Sequence, residues 1–185
     1  MRRSLIAALL ALATVASTAG VAQGRTFDVV VQTGNVALPS ADAPNLPGSV
    51  SIPLAIMRPP TTRQELSFED LVSTWKLAGA EYGVPWQVLG AINQIESNFG
   101  RGMRVSSAGA VGWMQFLPST WLRWGVDANG DGLADPWNAI DAIYSAARYL
   151  AASGADKNVK RAIFSYNHAA SYVDDVLKLA RVFNP

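Results

Sequence analysis

The chain contains no cysteine and only one histidine among its 185 residues. Without cysteine there can be no disulfide bond and no lipoprotein anchor, since both need a thiol. An excess of charge of either sign is also lacking, because the chain has 15 Lys and Arg residues and 14 Asp and Glu residues. A chain this balanced has no broad basic surface, so we do not expect nucleic acid as a partner. Stability must come from an ordinary hydrophobic core, with or without a bound metal.

Long hydrophobic runs are lacking everywhere except at the N-terminus. The apolar run from Leu5 to Ala16 is short for a membrane span, which needs about 20 residues. Two arginines precede this run and small residues come after it, so residues 1–22 are predicted to be a signal peptide. Cleavage is expected after Ala22, and cleavage after Ala19 is the alternative. An uncleaved membrane anchor is the alternative. We therefore expect a secreted, extracytoplasmic protein.

Residues 23–62 differ in composition from the C-terminal two thirds of the chain. Six of the ten prolines lie between Pro39 and Pro60. This composition predicts an extended, disordered linker, although a proline-rich recognition segment is an alternative. Residues 63–185 remain as one folded domain of about 120 residues, enough for its own core.

From Arg63 onwards the apolar residues recur at helical spacing, and neither a β-rich segment nor a repeat is found. Helices are predicted over 67–83, 85–100, 138–154, 158–168 and 170–183, with a short one after Pro118. Ser67 and Asn138 are the expected N-caps. The fold class is therefore predicted to be all-α.

One acidic residue falls where a helix should bury apolar side chains. Glu96 lies four residues after Ile92 and seven after Leu89, so it points towards the apolar stripe of its helix. Burial disfavours the charged form and raises the pKa of a carboxyl group, which lets it donate a proton near neutral pH. The alternative is a solvated glutamate on the helix shoulder.

The segment 106–121 has the composition of a ligand-binding loop. Its glycines allow close approach of the backbone, and Gln115 offers an amide that can donate and accept. Its aromatic residues could stack on sugar rings, although a core position is favoured for two of them, Phe116 and Trp121, over stacking. Met114 and Gln115 are expected to lie in the cleft. The glycines and aromatic residues concerned are Gly109, Gly112, Trp113, Phe116 and Trp121.

Three motifs in order, QIESNFG, SSAGAVGWMQFLPSTW and IFSYNHA, resemble the SLT-type catalytic domain of lytic transglycosylases, which is related to goose-type lysozyme. The resemblance covers roughly residues 67–183 and is greatest to the MltB-like branch, because DANGDGLADPW comes after the second motif. It implies a lysozyme-like helical fold and cleavage of peptidoglycan.

The resemblance also assigns roles to residues. It makes Glu96 the catalytic acid and base, which protonates the oxygen between N-acetylmuramic acid and N-acetylglucosamine. The same group then deprotonates the 6-hydroxyl that closes the 1,6-anhydro product. Substrate-binding residues would be Ser97, Gly112, Met114, Gln115, Tyr166 and Asn167. We expect Tyr166 to hydrogen-bond Glu96 or the sugar, unless it is a core residue.

Most glycosidases use two carboxylates, and the motif segments contain no second acid near Glu96. An internal hydroxyl nucleophile removes the need for one. A goose-type hydrolase and a non-catalytic peptidoglycan-binding module remain alternatives. We expect a monomer that acts on glycan strands and needs no cofactor for its chemistry.

The segment DANGDGLADPWNAID opens like an EF-hand calcium loop. Oxygen ligands stand at the first, third and fifth positions, glycine stands at the sixth, and a backbone carbonyl is available at the seventh. Position twelve is Asn138 instead of glutamate, so Asp135 or Asp141 would have to close the loop. The resemblance favours Asp141, and a turn with a helix cap is the alternative. The predicted ligands of a structural Ca²⁺ are Asp127, Asn129, Asp131, Leu133 and Asp141.

Overall fold

The computed structural model describes residues 56 and 58–183. The predicted signal peptide, nearly all of the predicted linker and the last two residues lie outside the described residues. The described part of the chain forms six helices: α1 Phe68–Tyr82, α2 Trp86–Ser97, α3 Pro118–Trp124, α4 Ala139–Ala152, α5 Val159–Tyr166 and α6 Ala170–Val182. Within the same residues there is no strand, only an isolated bridge between Val111 and Phe116. The prediction of an all-α fold is confirmed.

The predicted helix caps form as expected. The Ser67 hydroxyl accepts a hydrogen bond from the Asp70 N–H at 3.1 Å, and the Asp70 carboxylate accepts from the Ser67 N–H, which completes a capping box. The Asn138 side chain accepts from the N–H groups of Ile140 and Asp141 at the start of α4. These caps satisfy amide donors that a helix leaves unpaired at its first turn.

Helix α2 ends three residues earlier than predicted. It stops at Ser97, and the next three residues, Asn98, Phe99 and Gly100, have φ values of 49°, 58° and 79°. This left-handed run turns the chain sharply away from the helix axis. Phe99 then packs against Trp75 of α1 with 5.6 Å between ring centroids, so tertiary packing holds a conformation that L-residues disfavour.

Helix α4 lies at the centre of the molecule. Eight of its 14 residues are buried, and it packs against α1, α2, α3 and α5. Helix α2 packs between α1 and α6, so its two long faces are covered. Glu96, in the last turn of α2, is therefore brought next to α6.

The residues before α1 contact the domain earlier than the predicted boundary at residue 63. The Ile56 carbonyl accepts a hydrogen bond from the indole N–H of Trp137 at 2.9 Å. The Gln64 side chain accepts from the N–H of Ala139 at 2.7 Å. Contacts of the domain thus begin within the segment predicted to be linker.

No helix among the described residues has the length and apolar character that crossing a membrane requires.

Candidate active site

Glu96 is partly buried at the C-terminal end of α2. Burial raises the pKa of its carboxyl group above the usual value. The carbonyl groups at the end of a helix carry partial negative charge, so this position adds to the cost of ionising the group. No other charged group among the described residues perturbs the pKa of Glu96. The carboxyl group of Glu96 therefore holds its proton to higher pH than a solvated glutamate does.

Tyr172 is the partner of this carboxyl group, and it was not predicted from the sequence. Its hydroxyl donates a hydrogen bond to Oε1 of Glu96 at 2.5 Å. This bond lowers the pKa of Glu96 and offsets part of the effect of burial. Burial and the nearby Glu96 charge raise the pKa of Tyr172 far above its usual value, so the phenol stays a donor. A polar-tipped aromatic residue on the buried face of α6, beside Val173 and Val176, is the signal that could have revealed it.

Tyr166 has a different partner from the one expected at Glu96. Its hydroxyl donates to the backbone carbonyl of Met114 at 2.7 Å, and its ring packs edge-on against Phe116 and Tyr149. Burial is the main cause that raises the pKa of Tyr166, and the charge of Glu96 adds to it, so the two side chains lie near each other. Tyr166 thus joins the second motif to the third.

The second motif forms a tight turn beside Tyr166. Val111 and Phe116 exchange backbone hydrogen bonds of 2.9 and 3.0 Å, and Gly112 and Gln115 within the turn have φ values of 80° and 48°. The Gln115 amide N–H₂ donates to the carbonyls of Arg104 and Gly112, both at 3.0 Å. No described residue donates to its side-chain oxygen, so this oxygen is available to a ligand.

Two predicted cleft residues turn out to have no exposed side chain. Met114 is 0% exposed and Gly112 is buried, so only their backbone groups can take part in a site. Trp113 is 1% exposed, and Phe116 and Trp121 are also buried. The suggestion that these rings stack on sugars is therefore wrong, and the favoured core position of Phe116 and Trp121 is confirmed. Met114 was predicted to face the cleft, and its burial was missed because sequence spacing does not show on which side of a turn a side chain lies.

Ser97 also faces the interior, where it is 2% exposed. Its hydroxyl donates to the carbonyl of Trp113 at 2.7 Å and accepts from the N–H of Gly100 at 3.0 Å. The Asn93 amide donates to the same Trp113 carbonyl at 3.1 Å. In this structure Ser97 fixes α2 to the second motif instead of facing a substrate, because its hydroxyl is directed away from the surface.

Asn167, by contrast, is exposed at the end of α5. Its backbone N–H donates to the Ile163 carbonyl and its own carbonyl accepts from Ala169, which leaves the side chain free for a ligand. His168 is the next residue, with its ring edge-on to Phe164.

The predicted calcium loop is closed by hydrogen bonds to its own amides. The Asp127 carboxylate accepts from Gly130, Asp131 and Gly132, and the Asp131 carboxylate accepts from Leu133. In the described ranges, no group of three or more His, Cys, Asp or Glu residues is close enough to hold a metal ion. The donor set of carboxylate, amide and carbonyl oxygens nevertheless has the chemistry that Ca²⁺ prefers.

Asp141 links this loop to α4. It is 0% exposed, and its carboxylate accepts hydrogen bonds from the N–H groups of Ala128, Asn129 and Asp135 at 2.9 to 3.1 Å. Burial raises the pKa of Asp141, backbone hydrogen bonds lower it, and the charge of Asp127 raises it. Because the carboxylates of Asp127 and Asp141 repel each other, a cation bound in the loop would reduce the electrostatic cost of ionising both.

Comparison with known proteins agrees with the motifs. Residues 101–161 match the family model described as the transglycosylase SLT domain, which includes the second motif and the loop but neither Glu96 nor Tyr166. The membrane-bound lytic murein transglycosylase B of Escherichia coli (strain K12) is 39% identical over 67 residues. That match covers 36% of this chain and only 19% of the relative's own length.

Solved structures share the fold at low sequence identity. The Escherichia coli lytic transglycosylase Slt35 in complex with calcium has a TM-score of 0.53 at 19% identity, over 63% of this chain and 74% of that one. SltB3 of Pseudomonas aeruginosa in complex with NAG-anhNAM-pentapeptide has a TM-score of 0.56 at 19% identity, over 63% and 61%. The resemblance to SLT-type lytic transglycosylases and the lysozyme-like fold are thereby confirmed.

Proposed function

We propose that this chain, whose fold and motifs are those of SLT-type lytic transglycosylases, cleaves the β-1,4 bond between N-acetylmuramic acid and N-acetylglucosamine in peptidoglycan. The observation that carries the proposal is the partly buried carboxyl group of Glu96, held by Tyr172, with no second acid beside it in the described part of the chain. The relatives described above support the same activity.

In the proposed reaction, protonated Glu96 gives its proton to the glycosidic oxygen as the bond to the anomeric carbon breaks. The carboxylate, stabilised by the Tyr172 hydroxyl, then takes the proton of the muramic acid 6-hydroxyl. The 6-oxygen bonds to the anomeric carbon and gives the 1,6-anhydro end, which restores protonated Glu96. Gln115 and Asn167 are proposed to position the sugars, while Gly112, Met114 and Tyr166 shape the wall of the site.

The experiment that tests this proposal is digestion of purified peptidoglycan by the wild type and by Glu96→Gln. We expect 1,6-anhydro products from the wild type and a loss of at least about 10³-fold in rate for the variant, because the amide cannot transfer a proton. Mass spectrometry separates an anhydro end from a hydrolytic reducing end by the mass of one water. Hydrolytic products would instead favour the goose-type alternative. Full activity of the variant would show that Glu96 is not the proton donor, and no cleavage by the wild type would favour the non-catalytic peptidoglycan-binding module.

We further propose that the loop 127–141 binds a structural Ca²⁺ through the oxygen ligands predicted from the sequence. The oxygen-rich donor set and the repulsion between Asp127 and Asp141 support the site. The Slt35 structure with calcium supports it by analogy of fold. Bound Ca²⁺ would brace the loop against α4 and would take no part in proton transfer.

The calcium proposal predicts that Ca²⁺ raises the unfolding temperature of the wild type. A gain of several degrees is expected when free Ca²⁺ exceeds its dissociation constant about 100-fold, equivalent to about 2.7 kcal/mol. Asp131→Asn should lose most of this gain, whereas Asp156→Asn, an exposed change outside the loop, should keep it. Equal gains in both variants, or no gain in the wild type, would contradict the site.

We also propose that the protein is exported across the cytoplasmic membrane. Peptidoglycan lies outside the cytoplasmic membrane, so an enzyme that cuts it has to be secreted to the cell wall or periplasm. The N-terminal signal predicted over residues 1–22 would supply that export.

A further inference from the structure

The segment before α1 is attached to the start of α4 at two points. We call residues 58–66, together with Ile56, the strap. The Ile56 carbonyl accepts from the Trp137 indole N–H at 2.9 Å, and the Gln64 side-chain oxygen accepts from the Ala139 N–H at 2.7 Å. Trp137 and Ala139 are two residues apart, so both bonds hold the same short stretch. Ala139 is 0% exposed, so Gln64 satisfies a buried amide donor in the first turn of α4.

A third attachment point lies in the turn that follows Glu96. Arg63 donates from Nη1 to the carbonyl of Arg101 at 2.9 Å. Residues 63–66 of the strap line a cavity of about 250 Å³, together with residues of α1, the turn after α2 and Trp113. A cavity offers the chain no packing contacts on that side. Fewer contacts therefore oppose local detachment of the strap than oppose unfolding of the domain.

A continuous set of hydrogen bonds runs from the strap to Glu96. Trp137, which donates to Ile56 of the strap, accepts at its own carbonyl from the Trp113 indole N–H at 2.9 Å. The Trp113 carbonyl in turn accepts from the Ser97 hydroxyl at 2.7 Å, and Ser97 is the residue next to Glu96. Trp113 is only 1% exposed, so its indole and its carbonyl depend on these partners. Trp113 is thus held both from the side of the strap and from the side of Glu96.

We propose that Gln64 is a positioning residue for Glu96, because the anchored strap holds Trp113 and the rest of its turn in place beside the end of α2. When the strap detaches, the link through Trp113 loosens, and Glu96 loses the fixed position relative to Gln115 that bond cleavage requires. The effect on cleavage rests on the proposed function, whereas the coupling between the strap and the turn does not.

Amide hydrogen exchange on the full chain tests the coupling without any substrate. Gln64→Leu removes the acceptor at α4, so the amides of Trp113 and Phe116 in the turn should exchange about tenfold faster than in the wild type. Gln64→Glu keeps an oxygen acceptor at the N-terminus of α4 and should restore the slow exchange. Arg63→Ala removes another anchor from an exposed position, and it should accelerate the same two amides. Unchanged exchange in the turn, or an equal rise over residues 176–182 of α6, would overturn the proposal.

Kinetics on soluble peptidoglycan oligomers then test the positioning role. Gln64→Leu should lower kcat about tenfold with KM unchanged, because a misplaced proton donor slows the chemical step while contacts to the substrate remain. Gln64→Glu should equal the wild type, and Thr62→Leu, a change at an exposed strap residue, is the matched control that should alter neither constant. Wild-type kcat in Gln64→Leu would overturn the positioning role. Absence of cleavage by the wild type would overturn the proposed function and this role with it, while the exchange measurement would still decide the coupling.

Discussion

At the scale of single residues, the protonation of Glu96 is set by two opposing neighbours. Burial raises its pKa, and the hydrogen bond from Tyr172 lowers it. A group that acts first as an acid and then as a base needs both influences, since each alone would favour one step at the expense of the other. In the proposed reaction, Tyr172 is therefore a positioning residue that balances the two protonation states of Glu96.

Tyr172→Phe should move the alkaline limb of the pH–activity profile to higher pH. The variant removes a donor that stabilises the carboxylate, so the pKa of Glu96 rises further and the acid form persists at higher pH. The measurement is kcat/KM against pH for the wild type and the variant. Tyr144→Phe, which lies at a ring contact with Tyr82, should leave the profile unchanged. A limb that stays in place or moves to lower pH would contradict this role.

Glu96→Gln should stabilise the protein at neutral pH while abolishing cleavage. The folded state raises the pKa of Glu96, so ionisation at pH 7 costs stability, and the neutral amide avoids this cost. Below the unfolded pKa the carboxyl group is protonated in both states, and the difference should vanish. Thermal unfolding at pH 7 and pH 4 checks this.

A suitable control for that measurement is Glu65→Gln, because Glu65 is exposed. It should leave the unfolding temperature nearly unchanged at both pH values. If Glu96→Gln instead lowers stability at pH 7, burial is not the dominant influence on the carboxyl group.

The sequence predicted Glu96 because its position depends only on helical periodicity. Tyr172 could not be paired with it, since that contact joins residues 76 apart and depends on how α6 packs on α2. The buried positions of Ser97 and Met114 were missed for a related reason. Each lies beside the left-handed end of α2 or within the turn of the second motif, where side-chain directions no longer follow a simple period.

At the scale of structural elements, the turn between Val111 and Phe116 depends on one glycine. Gly112 has φ 80°, and a Cβ atom there would lie 1.9 Å from the carbonyl oxygen of Pro136. The close approach joins the turn to Pro136, which lies within the segment 127–141, and the Trp113 N–H donates to the same carbonyl at 3.0 Å. The requirement for glycine is therefore steric as well as conformational.

Gly112→Ala should lower the free energy of unfolding by about 3 kcal/mol or more, because it adds a backbone clash to the strain of a positive φ. Gly109→Ala is the matched control, since Gly109 has φ 79° but no atom within 4 Å of the added methyl group. It should cost only about 1 kcal/mol. Urea unfolding of both variants checks the difference, and equal losses would show that the contact with Pro136 does not matter.

Element types were more predictable than element ends. The helices and their polar caps are set by local rules, so Ser67 and Asn138 were identified correctly. The end of α2 was placed at Gly100 because glycine commonly ends helices. The helix stops at Ser97 because Phe99 packs against α1, and packing of that kind has no local signal.

At the scale of the whole molecule, Tyr166 joins segments that are far apart in the sequence. Its hydroxyl donates to the Met114 carbonyl, and its ring packs edge-on against Phe116 of the second motif and Tyr149 of α4. The fold class could be predicted from periodicity, but these contacts could not, because they depend on how α4 and α5 pack against the second motif.

Trp137 connects parts of the chain that are far apart. Its carbonyl accepts from the Trp113 indole and its own indole donates to Ile56, both at 2.9 Å, while the ring is only 4% exposed. A recombinant fragment that starts at Arg63 would therefore leave the Trp137 indole N–H without the acceptor that it has in the longer chain. Expression of the domain by itself should begin upstream of Ile56.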